Sequence, residues 1–182
     1  MLELNTSTGL LKPVRYVMSP NYNERPKGRE INLLVIHGIS LPPGEWGTLH
    51  IDALFTNTLN VLAHASFAAL ADLKVSAHVL IDRAGQITQY VPFTQRAWHA
   101  GQSFFGEQEN CNDFSIGIEL EGTDTVPYTE AQYQRLIAVT QLIQQHYPLI
   151  TKDHIVGHSA IAPGRKTDPG SAFDWDKYKG NI

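Results

Sequence analysis

The feature that most constrains the fold is a short apolar run in the first quarter of the chain. Residues Ile31–Ile36 are apolar at every position except Asn32, so an extended segment there carries apolar side chains on both faces. Such a strand is covered on both sides, as in the interior of an α/β sheet. His37 and Gly38 follow at once, which places an imidazole where the strand leaves the core. Active-site residues often lie at such strand ends, although a lone histidine there is commonly structural.

Two further stretches show the alternation of half-buried strands. In Ser115–Glu121, three apolar side chains face one way and leave two glutamates on the opposite face. Val75–Asp82 alternates in the same way, and Ile87–Val91 follows after the turn residues Asp82–Gly85. This order predicts a β-hairpin. We also expect a short extended segment at Val14–Val17.

The clearest helix pattern covers Thr129–Tyr147. Thr129 and Gln132 have the spacing of a capping box, an apolar stripe follows at helical intervals, and Pro148 ends the pattern. Shorter helical or turn-like segments are expected at Ile51–Leu59, His64–Leu73 and Phe173–Lys179. Together these elements predict an α/β (α+β) fold, with a mixed central sheet of about five strands flanked by helices. The length fits a single domain over residues 1–182.

Charge and cysteine content exclude several classes of partner. The formal net charge of −4 and the pI near 6.0 provide no basic field, so we expect neither nucleic acid nor a membrane as partner. No apolar run reaches membrane-spanning length, and the first residues lack the pattern of a secretory signal. Cys111 is the only cysteine, which rules out an intramolecular disulfide and a multi-thiolate metal site. These features favour a cytoplasmic protein, with no obligate protein partner evident.

Chemically reactive side chains are concentrated in Val156–Gly170. A short apolar segment delivers His158 as a strand would, and prolines and glycines then predict a turn-rich loop that holds His158 and Asp168. Both residues are metal-ligand types, and Arg165 and Lys166 between them could oppose negative charge on a substrate. The alternative is a solvated loop with a capping aspartate.

A three-residue set follows from combining the two strand ends. His37, His158 and Asp168 would supply three N/O ligands and leave a fourth tetrahedral position for water, which is the arrangement of a catalytic zinc site. His78 and His99 have no clear assignment from the sequence. The remaining histidines fit solvated or hydrogen-bonded roles; they are His50, His64, His146 and His154.

Six ordered motifs resemble the AmpD family of N-acetylmuramoyl-L-alanine amidases, part of the zinc amidase and peptidoglycan-recognition superfamily. The resemblance extends from about Val14 to Trp175. The motifs are Val35–His37, Ser40–Glu45, Val75–His78, Arg96–Gly101, Asn112–Gly122 and Gly157–Gly170. The resemblance implies an enzyme with the amidase fold that carries a zinc ion and acts on 1,6-anhydro-muropeptides in the cytoplasm.

The resemblance also implies roles for single residues. It assigns zinc binding to His37, His158 and Asp168, catalysis to Glu119 and Lys166, and the muramyl pocket to Trp98 and Arg165. Two positions depart from the family pattern. Gly38 stands where some relatives have asparagine beside the substrate, and Lys74 where some have arginine, so either residue could alter substrate binding.

The implied reaction is zinc-dependent hydrolysis of the amide bond between the lactyl group of 1,6-anhydro-N-acetylmuramic acid and L-alanine of the stem peptide. This reaction belongs to peptidoglycan recycling. One alternative is a non-catalytic peptidoglycan-recognition module, a class in which loss of a zinc ligand is the distinguishing feature. Another is a phage-type or exported amidase that acts on intact cell wall.

Overall fold

A mixed sheet of six strands forms the centre of the structure. The computed structural model describes residues 2–182. The strands of this sheet are β3 (Arg15–Tyr16), β5 (Leu33–Ile39), β6 (Val79–Ile81), β7 (Ile87–Gln89), β11 (Ser115–Glu121) and β12 (Ile155–Gly157). They lie in the order β12-β5-β11-β6-β7-β3, in which β12, β5, β11 and β6 are mutually parallel and β7 runs antiparallel to β6.

Smaller ribbons and short helices surround this sheet. Strands β1 (Glu3–Asn5) and β2 (Leu10–Lys12) form one pair, β4 (Tyr22–Asn23) and β8 (Arg96–Ala97) a second, and β9 (Phe104–Phe105) and β10 (Gln108–Glu109) a third. The α-helices are α1 (His50–Phe55), α2 (Glu130–His146), α3 (His158–Ile161) and α4 (Trp175–Gly180). Short 3₁₀ segments occupy Ala65–Leu70, Cys111–Asp113 and Lys152–His154. No helix within residues 2–182 has the length and apolar character needed to cross a membrane.

The long helix α2 begins as the sequence predicts. The Thr129 side chain accepts a hydrogen bond from the Gln132 amide, and the Gln132 side chain accepts one from the Thr129 amide, which confirms the capping box. The Gln132 side-chain amide also donates to the carbonyls of Ile81 and Glu121, at the ends of β6 and β11. The start of α2 is therefore attached to the carboxyl-terminal ends of the parallel strands, where the candidate functional side chains lie.

The two faces of the sheet are covered by different parts of the chain. Alternate side chains such as Ile36 and Ile118 pack against the apolar stripe of α2. Side chains of opposite orientation, such as Val35, pack against Cys111 and Phe114 in the segment that follows β8. Because both faces are covered, all seven residues of β11 are buried.

Three details differ from the sequence predictions. The sheet has six strands rather than about five, because the extended segment predicted at Val14–Val17 joins it as edge strand β3. The hairpin strands are shorter than predicted. The amides of Ser76 and His78 bond to the carbonyls of Trp98 and Gly117 and not to the partner strand of the hairpin. His158 lies at the start of α3 and not on a loop; the helix stops after one turn, before Pro163 and Gly164.

Candidate metal centre and active site

Two neighbouring parallel strands bring His37 and His158 together. Gly157, the last residue of β12, pairs with Ile36 of β5, so the residues that follow them, His158 and His37, stand at the same level. Parallel strands end at the same sheet edge, which explains how residues far apart in sequence meet here. Asp168 reaches this edge from the loop after α3, where its carbonyl accepts a hydrogen bond from the Ser159 amide.

The three side chains form a small triangle of ligand atoms. His37 Nδ1 lies 3.0 Å from His158 Nδ1 and 3.3 Å from Asp168 Oδ2, and His158 Nδ1 lies 3.1 Å from Asp168 Oδ2. Two ligand atoms that each lie about 2.0 Å from a tetrahedral metal are about 3.3 Å from each other. The residues present therefore fit a metal ion with three protein ligands.

The electrostatics of the triangle favour a cation. Burial lowers the pKa of His37 to about 4, so its ring is neutral and able to donate a lone pair at neutral pH. Burial opposes ionisation of Asp168, but the close approach of the His158 and His37 rings to its carboxylate outweighs burial and holds the pKa of Asp168 well below its ordinary value. A neutral imidazole at His37 and an ionised carboxylate at Asp168 are the protonation states that metal binding requires of these two residues.

Glu119 is a buried carboxyl group without a partner. It is 9% exposed, and its Oε2 atom is buried with no hydrogen bond to any atom of residues 2–182. Burial and, next, the charge of Asp168 raise the pKa of Glu119 well above its ordinary value, while Lys166 opposes the shift. Glu119 is therefore not a solvated surface side chain. An unpaired buried carboxyl beside a candidate metal site suits a group that exchanges protons with water or substrate.

Glu121, two residues further along β11, has a different role. Its carboxylate accepts hydrogen bonds from the amides of Gly47 and Arg83, at 2.6 Å and 3.2 Å. Both glutamates are buried, yet only Glu121 is satisfied by the surrounding backbone. This contrast distinguishes a carboxylate that bonds to the surrounding backbone from one whose Oε2 atom has no partner within the described residues.

Lys166 brings an exposed positive charge to the site. Its side chain is exposed, and no ion pair or side-chain hydrogen bond within the described residues restrains it. Its charge lowers the pKa of Glu119 and of His37, so it acts on both groups electrostatically. An unengaged ammonium at this position could approach negative charge that develops on a substrate oxygen.

The residues expected to contact substrate occupy the rim of the site in different ways. Trp98 is half-buried, and its indole nitrogen donates to Asn23 Oδ1 at 2.9 Å. Arg165 is exposed, and its Nη2 atom donates to the carbonyls of Ala100 and Gln102, both at 2.6 Å. Arg165 Nη2 therefore already holds the turn after Trp98, while its Nη1 and Nε atoms make no hydrogen bond within the described residues.

The two positions that depart from the family pattern differ in their relation to the metal triangle. Gly38 adjoins it: its amide points at Asp168 Oδ2, 3.4 Å away, and an added Cβ would lie 2.5 Å from the Tyr128 hydroxyl. Lys74 is exposed and lines a separate shallow cavity with Leu54 and Leu70. No contact within the described residues joins Lys74 to the triangle.

The sequence did not predict which groups contact the far sides of the proposed metal ligands His37 and His158. His158 Nε2 lies 3.2 Å from the Ala100 carbonyl, and His37 Nε2 lies 2.9 Å from Nδ1 of the buried His99. The polar, glycine-containing segment around Trp98–Gly101 could have indicated that these contacts come from there, since such segments often lie at binding sites. His78 is also buried, but it bonds to the Gly117 amide and the Gln95 carbonyl.

Comparison with known proteins assigns the family. The family model of N-acetylmuramoyl-L-alanine amidases matches residues 27–171. The 1,6-anhydro-N-acetylmuramyl-L-alanine amidase AmpD of Enterobacter cloacae is 58% identical over 170 residues, which cover 93% of this chain and 90% of that protein. The fold and the site thus define an amide hydrolase. The chain belongs to the N-acetylmuramoyl-L-alanine amidase family.

Solved structures agree with this assignment. The crystal structure of a selenomethionine AmpD derivative matches with a TM-score of 0.95 and 55% identity, covering 98% of each chain. The Escherichia coli amidase AmiD, solved with the substrate anhydro-N-acetylmuramic acid-L-Ala-D-γ-Glu-L-Lys, matches with a TM-score of 0.62 and 29% identity. That match covers 88% of this chain and 65% of AmiD.

Proposed function

We propose that this amidase uses zinc to hydrolyse the amide bond between the lactyl group of 1,6-anhydro-N-acetylmuramic acid and L-alanine of the stem peptide, in peptidoglycan recycling. The observation that carries the proposal is the triangle of His37, His158 and Asp168 beside the unpartnered Glu119. The similarity to AmpD over most of both chains supports the anhydro-sugar substrate. The substrate complex of AmiD, a more distant relative, supports a muropeptide.

The donor set supports zinc as the metal. Two borderline imidazole nitrogens with one carboxylate oxygen suit zinc better than magnesium or calcium, which prefer sites made of oxygen ligands alone. Zinc held by His37, His158 and Asp168 would lower the pKa of bound water to about 7 and polarise the scissile carbonyl. All three ligand positions are occupied by competent side chains, which argues against a non-catalytic recognition module.

The proposed catalytic pair is Glu119 and Lys166. Ionised Glu119 takes a proton from the attacking water and passes it to the nitrogen of the departing L-alanine, so one carboxylate serves both steps. Its raised pKa makes the Glu119 carboxylate a stronger base than an ordinary carboxylate for the first transfer. Its protonated form is still a stronger acid than an alkylammonium ion, so it can protonate the departing amine. The ammonium of Lys166 approaches the carbonyl oxygen as negative charge develops there.

Substrate binding is proposed at the rim. The half-buried Trp98 ring offers an apolar face to a sugar, and Arg165 offers Nη1 to a carboxylate while Nη2 holds the loop. Gly38 would contact the substrate through its backbone alone. Lys74 would act only as a more distant positive charge, since it lines a separate cavity. We further propose that residues 1–182 act as one amidase domain in the cytoplasm, without nucleic acid, membrane or an obligate protein partner.

The experiment compares soluble and insoluble substrates. Purified protein is incubated with 1,6-anhydro-muropeptides and with intact wall sacculi, each with and without a chelator, and the products are identified by mass. Release of the free stem peptide from the soluble substrate, abolished by chelation and restored by zinc, is the expected result. The variant Glu119→Gln serves as a control for contaminating amidases.

Each other outcome has a defined meaning. Equal or faster cleavage of sacculi would replace the recycling assignment with an enzyme of intact wall. Binding without cleavage would favour a recognition module. Full activity of metal-stripped protein, verified by elemental analysis, would remove zinc from the proposal.

A further inference from the structure

The buried residue His99 contacts a proposed metal ligand from the side opposite the metal triangle. His37 turns Nδ1 towards His158 and Asp168, while its Nε2 atom lies 2.9 Å from Nδ1 of His99. The two rings meet edge to face, with centroids 5.0 Å apart and an angle of 86°. Two ring nitrogens at this distance share one hydrogen, so one ring donates and the other accepts.

A chain of hydrogen bonds continues from His99 into the protein. His99 Nε2 lies 3.2 Å from Ser115 Oγ, which in turn lies 2.5 Å from the carbonyl oxygen of Cys111. The Cys111 carbonyl can only accept, so the Ser115 hydroxyl must donate to it. The Ser115 oxygen then accepts from His99 Nε2–H, which leaves His99 Nδ1 as an acceptor.

The direction of this chain fixes the tautomer of His37. Because His99 Nδ1 accepts, His37 must carry its hydrogen on Nε2, and the lone pair of His37 Nδ1 points at the triangle. The reverse arrangement would place a hydrogen on His37 Nδ1, where it would block a metal, and would leave the Cys111 carbonyl without the Ser115 hydroxyl. A backbone carbonyl three hydrogen bonds away thus selects the metal-binding form of His37.

The surrounding packing holds the His99 ring in this position. His99 is 8% exposed, and a Cβ added at Gly117 would lie 2.5 Å from its ring atoms. The side-chain oxygen of Asn112 accepts hydrogen bonds from the backbone amides of His99 and Ala100, at 3.1 Å and 2.8 Å. The backbone of His99 is therefore fixed by Asn112, and its ring is packed directly against β11 at Gly117.

We propose that His99 is a positioning residue that, together with Ser115 and the Cys111 carbonyl, sets the orientation and tautomer of His37 for metal binding. The inference rests on the proposed function, because it assumes that His37 ligates zinc. It gives Gly117 a role as well, since only glycine leaves room for the His99 ring against β11.

The first test needs no substitution. Long-range ¹H–¹⁵N NMR spectra of the zinc-loaded protein distinguish the tautomers of each histidine. We expect His37 to be metallated at Nδ1 with its hydrogen on Nε2, and His99 to be neutral with its hydrogen on Nε2. A hydrogen on His99 Nδ1 would overturn the inference, since that nitrogen could no longer accept. Absence of any zinc uptake by the wild-type protein would instead overturn the proposed function.

The second test uses a matched pair of variants. His99→Asn and His99→Leu have similar size, but only asparagine places an acceptor oxygen where Nδ1 of His99 lies. We expect His99→Leu to weaken zinc binding by about 10–100-fold, measured by competition with a fluorescent chelator, and His99→Asn to recover most of that loss. Gly117→Ala should weaken zinc binding without removing a polar group.

A merely structural role predicts a different pattern. The two variants would then lower the unfolding temperature of the zinc-free protein alike, and the zinc dissociation constant of folded His99→Leu would match that of wild type. The latter result would overturn the inference. His154→Leu, which removes a half-buried histidine bonded to the Asn32 carbonyl, is the control for general loss of an imidazole.

Discussion

Glu119 and His37 occupy paired positions on the neighbouring parallel strands β11 and β5. Paired residues of adjacent strands project from the same face of a sheet, so the carboxyl group and the imidazole share one surface. Both residues are buried. The backbone ladder of the sheet, rather than a loop, therefore sets the separation between the proposed proton carrier and the proposed metal ligand.

This pairing predicts that Glu119→Gln separates catalysis from metal binding. Glutamine keeps the shape of the side chain but lacks a basic oxygen, so kcat should fall by roughly 10²–10⁴ while zinc stays stoichiometric. Steady-state kinetics with metal analysis on the same preparation measures both. A Glu119→Gln enzyme with the kcat of wild type would remove Glu119 from the mechanism.

The activity should depend on pH through Glu119. Burial and the charge of Asp168 raise its pKa well above the ordinary value of 4.5, and the base must be ionised to accept a proton. As pH falls through this raised pKa, kcat/KM should decrease, giving an acidic limb above pH 4.5. A pH profile of kcat/KM measures the limb, and a profile that stays flat down to pH 4.5 would contradict the assignment.

Lys166 should influence both the rate and this pH profile. Its positive charge lowers the pKa of Glu119, so Lys166→Met should move the acidic limb to higher pH. Loss of the proposed oxyanion donor should also reduce kcat by roughly 10²–10³. Lys166→Arg keeps the charge, so it should leave the limb near its wild-type position, with a partial loss of kcat from altered geometry. An unchanged limb in Lys166→Met would show that the two side chains do not interact.

Features that depend on neighbours in sequence could be predicted, whereas those that depend on distant segments could not. The capping box of α2 involves Thr129 and Gln132, three residues apart, and the alternation of Ser115–Glu121 gives β11 its bounds. Alternation showed which side chains share a face with Glu119. It could not show that the segment after β8 covers that face, because packing across about 20 residues leaves no local pattern.

The candidate site has the same division. His37 and His158 were identifiable as candidates because each follows an apolar strand, and Asp168 because it is a metal-ligand type in the turn-rich segment after His158. The contact between His37 and His99 spans 62 positions and arises only when the sheet and the loop are assembled. No periodicity in the sequence encodes it.

Asp168 should behave differently from the catalytic pair. Asp168→Ala removes one of three proposed ligands, so zinc content and activity should fall together, and excess zinc should restore part of both. Elemental analysis and activity assays over a series of zinc concentrations check this. Stoichiometric zinc in Asp168→Ala at ordinary zinc concentration would place Asp168 outside the ligand set.

The loop that carries Asp168 is held by Tyr128, and this contact predicts the effect of a side chain at Gly38. The Tyr128 hydroxyl donates to the Pro169 carbonyl at 2.9 Å, and a Cβ at position 38 would lie 2.5 Å from that hydroxyl. Tyr128 is only 6% exposed, so it has little room to move. Gly38→Ala should therefore destabilise the protein by about 1–3 kcal/mol, as measured by denaturant unfolding of the zinc-free protein.

A double-mutant cycle identifies the cause. Tyr128→Phe alone removes the hydroxyl and leaves the Pro169 carbonyl without its partner, at a cost of about 1–3 kcal/mol. It also removes the atom that Gly38→Ala would strike, so in the Tyr128→Phe background the alanine should cost clearly less than it does alone. Costs that simply add would mean that the alanine is accommodated without contact to the hydroxyl. In that case the absence of a side chain at position 38 would not be explained by Tyr128.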